Sequence, residues 1–67
     1  MDITINGRLE ACSPSLLTIK DLLAARQLLG KRVAVERNGG IVPKSQHATT
    51  ALEAGDRIEI VVAVGGG

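Results

Sequence analysis

The stretch MDITINGRLEACSPSLLTIKDLLAARQLLG, residues 1–30, decides the fold by its changes of period. Ile3 and Ile5 alternate with Asp2, Thr4 and Asn6, the pattern of a half-buried strand. Asn6-Gly7 follows at once. That pair marks a hairpin, because a type I′ turn needs positive φ at both central residues. Arg8 to Cys12 alternates again and returns antiparallel, until Ser13-Pro14-Ser15 breaks the ladder. From Thr18 to Leu29 the period becomes helical: Ile19, Leu22, Leu23 and Leu29 share a stripe, widened by Leu28. Thr18 is the expected N-cap, with Asp21 closing a capping box in place of the usual Glu. Gly30 is the expected C-terminal stop.

Beyond the helix, Val33 and Val35 resume period two, and Asn38-Gly39-Gly40 makes a second turn. Ile41-Val42 is a short extended piece ended by Pro43, which suits an edge. Residues 45–54 read as a turn of helix plus loop, and Gly55-Asp56 as a turn. Arg57 to Val64 is the last strand, with Ile58, Ile60, Val62 and Val64 facing one way and Glu59, Val61 and Ala63 the other. One helix with one apolar stripe must cover one face of one mixed sheet. The expected class is α+β, a β-grasp (ubiquitin-like) sheet of four to five strands on one main helix. Residues 1–64 form that domain, and residues 65–67 a flexible Gly-Gly-Gly tail. Ile3, Ile5, Leu22, Val35, Ile58 and Ile60 share one phase and are expected to be buried together.

Composition narrows the function. At 67 residues the chain buries a small core, which favours a module working with partners over a self-sufficient enzyme. It has no Phe, Tyr or Trp, so base-stacking platforms are absent. Eight Lys and Arg against seven Asp and Glu leave a net charge of +1, too little to hold a phosphate backbone. One Cys and one His exclude zinc sites that need four such ligands, and no metal site is expected. The N-terminus shows no basic n-region or apolar h-region, so a reducing, cytoplasmic setting is expected.

The terminal Gly65-Gly66-Gly67 is the most informative feature. Three residues without side chains carry a carboxylate about 10 Å beyond the folded body. Such a tail fits a narrow channel in another protein. Its carboxylate is ionised near neutrality and can attack an activated phosphate. Cys12 has no base near it in sequence and reads as a small buried hydrophobe, with a persulfide carrier as the alternative. His47 reads as a surface residue, and Glu53, Asp56 and Glu59 as solvated carboxylates. Val61 and Ala63 are the expected docking residues on the outward face, with Glu36 and Arg37 of the neighbouring strand as the alternative surface.

With these residues in place, the whole chain resembles the ThiS family of sulfur carriers. The resemblance rests on Ile3 to Gly7, Thr18 to Leu23, Val33 to Lys44 and Gly55 to Gly67. Ile41-Val42-Pro43-Lys44 and the block from Gly55 are its specific parts; His47 and Val62 stand where the family often has Trp and His. The resemblance implies a carrier that is not itself an enzyme and binds no cofactor. A ThiF-like adenylating enzyme would use ATP and magnesium to join AMP to the Gly67 carboxylate. A sulfur donor chain fed by a cysteine desulfurase would convert the adenylate to a thiocarboxylate. Thiazole synthase (ThiG) would take the sulfur for thiamine. Gly65, Gly66 and Gly67 would enter the partner's active site. A carrier for molybdopterin synthesis and a ubiquitin-like modifier are the alternatives.

Overall fold

The computed structural model describes residues 1–63. Val64 and the expected tail, residues 65–67, lie outside the described residues. The elements are β1 (Asp2–Ile5), β2 (Arg8–Ala11), α1 (Ile19–Ala25), β3 (Val33–Arg37), β4 (Gly40–Val42), a 3₁₀ turn (Lys44–Gln46) and β5 (Arg57–Val62). The strands form one mixed sheet in the order β2-β1-β5-β3-β4. The last strand is therefore the middle one. It runs parallel to β1 and antiparallel to β3, so each hairpin flanks it on one side. Both expected Asn-Gly turns form, with Asn6 and Asn38 at φ 50° and 51°.

Register explains the two faces. Ile3 and Ile5 of β1, Ile58 and Ile60 of β5, Val35 of β3 and Val42 of β4 are buried beneath Ile19, Leu22 and Leu23 of the helix. All six expected core residues are among them. Leu52 joins from the loop, because residues 47–52 wrap the helix start: Lys20 N–H donates to the His47 carbonyl at 2.8 Å and Leu52 N–H to that of Leu17 at 2.9 Å. Val62 departs from expectation. It shares the inward phase of β5 but is 40% exposed.

The helix begins as its sequence predicts. The Asp21 backbone N–H donates to Thr18 Oγ1 at 3.2 Å, and Asp21 Oδ2 accepts from the Thr18 N–H at 3.1 Å. The same carboxylate oxygen also accepts from the Leu17 N–H, at 2.9 Å. The shorter acid thus satisfies two entry donors with one oxygen.

Its end comes early, at Ala25 and not near Leu29. Gln27 adopts φ 60°, the left-handed conformation usually left to Gly. Gln27 N–H donates to the Ala24 carbonyl at 3.0 Å and Leu28 N–H to that of Leu23 at 2.8 Å, the two bonds of a Schellman motif. Leu28 then packs against the core while Leu29 stays 49% exposed. Burying Leu28 as the hydrophobic partner of the cap compensates the strain at Gln27.

Candidate functional site

The candidate site is built around the end of β5. β5 is held along both edges. Its odd-numbered residues turn their backbone towards β3, and Ala63 N–H continues that side with a 2.9 Å bond to the Arg32 carbonyl. Its even-numbered residues face β1: Thr4 N–H donates to Asp56 and Asn6 N–H to Ile58, at 3.0 and 2.9 Å. At Ala63 the chain still lies in line with the middle strand, tied on the β3 side alone.

Beside that strand end lies the outer face. Val61 stands opposite Ala34, and Glu59 opposite Glu36. Val61 is 62% exposed, and Ala63, Ala34 and Glu36 are exposed too. Ile41, opposite Glu36, extends the apolar patch to the far edge. A shallow hollow lined by Thr4, Gly7, Glu36, Gly39, Arg57 and Glu59 adjoins it. Like charges directly opposite each other destabilise a sheet. Neither Glu36 nor Glu59 has an ion-pair partner among the described residues.

Arg37 is placed differently from Glu36. Its register partner is Ile58, and its guanidinium turns to the loop before β5. Nε donates to Asp56 Oδ2 at 2.8 Å, and Nη2 to Asp56 Oδ1 at 3.2 Å and to Glu53 Oε2 at 2.9 Å. Asn38 Nδ2 adds a 3.0 Å bond to Asp56 Oδ1, and Glu53 N–H one of 2.8 Å to Oδ2. Asp56 is therefore a buried carboxylate with four donors, not the solvated one its loop position implied. Glu53 remains exposed but is ion-paired. The missing signal was non-local: the partner that makes burial tolerable lies 19 residues away.

Burial pushes the Asp56 carboxyl upward, but the bonds from Arg37, Glu53 N–H and Asn38 outweigh it and hold the group below the ordinary carboxylate range. The hydrogen bond to Asp56 in turn raises Arg37. A depressed carboxyl contributes stability that is whole above its unfolded value of about 3.9 and is lost as pH falls through the folded value. The melting temperature should therefore drop below about pH 4. In Asp56→Asn the protein should melt lower at neutral pH and show a shallower acid decline. Parallel acid declines in the two proteins would show that Asp56 is not the group responsible.

Cys12 and His47 do not meet. Cys12 follows β2 and is half-buried, and its Sγ lies 4.0 Å from the Glu10 carbonyl. His47 follows β4, at the opposite edge of the sheet. It is buried, contrary to expectation, and its Nε2 lies 3.1 Å from the Val42 carbonyl. That bond satisfies a polar ring atom that burial has removed from water. Among the described residues no group of His, Cys, Asp and Glu is arranged to hold a metal ion. No helix among them is long and apolar enough to cross a membrane.

Comparison with known proteins agrees with this geometry. The family model described as the ThiS family matches residues 3–67. The sulfur carrier protein ThiS of Bacillus subtilis (strain 168) is 43% identical over 65 residues, 97% of this chain and 98% of that protein. A thiazole synthase of Paramagnetospirillum magneticum is 45% identical over all 67 residues, but the chain spans only 20% of its length. The crystal structure of the thiamine biosynthesis protein ThiS from Geobacter metallireducens superposes with a TM-score of 0.83 at 29% identity, covering all of both chains.

Proposed function

The chain belongs to the ThiS family of sulfur carriers in thiamine biosynthesis, and we propose that the Gly67 carboxylate is the group that carries the sulfur. The observation behind this reading is the run Gly65-Gly66-Gly67 close behind the central strand β5, in a chain that the family model matches through residue 67.

The chemistry follows from what a carboxylate lacks. Its oxygen is a poor leaving group. In a ThiF-like adenylating enzyme using ATP and magnesium, a Gly67 oxygen attacks the α-phosphorus and pyrophosphate departs. A persulfide sulfur, from a donor chain fed by a cysteine desulfurase, then attacks the acyl carbon and displaces AMP. A second thiol cleaves the resulting acyl disulfide, releasing the thiocarboxylate and leaving the donor as a disulfide. That group keeps its charge and gains a soft, nucleophilic sulfur. Thiazole synthase (ThiG) is the proposed acceptor, supported by the likeness to a thiazole synthase sequence. The carrier itself contributes position and reach, not catalysis. ATP and reduced sulfur chemistry fit the cytoplasm.

Partners that admit the tail must also hold the strand before it. We assign docking to Val61, Ala63 and Glu36. Arg37, engaged by Asp56 and Glu53, borders the surface at the other end of β3. Val61→Glu places a charge on an apolar contact and adds a desolvation cost on binding. Calorimetry should show weaker binding to the adenylating enzyme, by about tenfold or more, with an unchanged melting temperature. The cost assumed is roughly 1–3 kcal/mol. Parent-like affinity would move the interface off this face.

A further inference from the structure

β5 outruns the strand beside it. β1 pairs with it only at Thr4↔Arg57 and Ile5↔Ile58, then turns away at Asn6-Gly7. The next position on that edge is filled by a side chain. The Asn6 carboxamide accepts from the Ile60 N–H through Oδ1 at 2.8 Å, and donates to the Ile60 carbonyl through Nδ2 at 3.2 Å. One amide thus stands in for a strand residue and extends the ladder one step after β1 has ended. Past Ile60, the even-numbered edge has no further partner among the described residues.

The second hairpin provides the contrast. Asn38 has the same left-handed φ and the same following Gly. Its Oδ1 also accepts from β5, from the Arg57 N–H at 2.8 Å. Arg57 begins that strand, whereas Ile60 lies two residues from its end. Both turn asparagines hold the central strand, one at its entry and one near its exit.

We propose that Asn6 is a positioning residue for sulfur transfer: its carboxamide fixes the direction in which β5 delivers the tail to a partner's active site. This rests on the carrier reading above. Losing it frees one edge of the strand just before the tail. The carboxylate then arrives misaligned although the fold survives. Displacement at phosphorus is sensitive to such errors, about 1 Å costing roughly 100-fold.

The test is ATP–pyrophosphate exchange with the adenylating enzyme, at saturating carrier and well below every melting temperature. Asn6→Gly keeps the turn, since Gly accepts positive φ without strain, and removes both bonds to Ile60. Its kcat should fall about tenfold or more, and its Ile60 amide should exchange faster with solvent. Asn38→Gly is the structural control: a lower melting temperature with parent kcat. Parent kcat in Asn6→Gly, or an equal fall in Asn38→Gly, overturns the proposal. Should Asn6→Gly not fold, Asn6→Asp decides by the same outcomes, because Asp-Gly suits the turn while the donor to the Ile60 carbonyl is replaced by a charged oxygen that repels it. Exchange absent from the parent is a different result and overturns the carrier reading instead.

Discussion

Deleting Gly67 is expected to leave the melting temperature where it was and to abolish carrier-dependent pyrophosphate release from ATP. The deletion moves the carboxylate back by about 3.5 Å, one residue of extended chain. That is several times the misplacement that already costs about 100-fold in an oriented displacement. Gly66→Val should act alike for another reason. A β-branched side chain restricts the backbone and widens a segment meant for a narrow channel. Among the described residues the buried core members all lie between Ile3 and Ile60, and a glycine has no side chain to add to them. Stability and activity should therefore separate cleanly. Pyrophosphate exchange at the parent rate in the Gly67 deletion would remove the terminal carboxylate from the mechanism.

The opposite separation is expected at Ile58. It is 1% exposed and sits in the middle strand, opposite Ile5 of β1 and Arg37 of β3. Truncation to Ala leaves a cavity that a sheet pinned on both sides cannot close, at a cost of about 2–5 kcal/mol. At roughly 0.05–0.15 kcal/mol per residue, a domain of this size has about 3–10 kcal/mol in total. Ile58→Ala should thus unfold at a much lower urea concentration, and a good part of it should be unfolded without denaturant. A parent-like unfolding midpoint would mean that the sheet repacks around the gap and that the core is not centred on β5.

The parts of the fold that were legible are those written in local periods. Asn6-Gly7 and Asn38-Gly39 each name a turn geometry that few other pairs satisfy. Alternation at residues 2–5 and 57–60 gave the buried face of β1 and β5, and Thr18 with Asp21 gave the helix start. The helix end was hidden because Gln27 takes a conformation that its identity argues against, and only the packing of Leu28 explains it. Asp56 and His47 were misread for a shared reason. A polar residue's burial depends on partners remote in sequence, here Arg37 for one and the Val42 carbonyl for the other. The Asn6 carboxamide was unreadable in the same way, its partner lying 54 residues on.

Sulfur itself gives the most direct test. The chain is incubated with the adenylating enzyme, ATP, magnesium and a cysteine desulfurase with cysteine, then fragmented in a mass spectrometer. The account predicts replacement of one oxygen by sulfur, confined to the fragment that ends at Gly67 and absent when ATP is withheld. Sulfur recovered on the Cys12 fragment as a persulfide, with the Gly67 fragment unchanged, would contradict it.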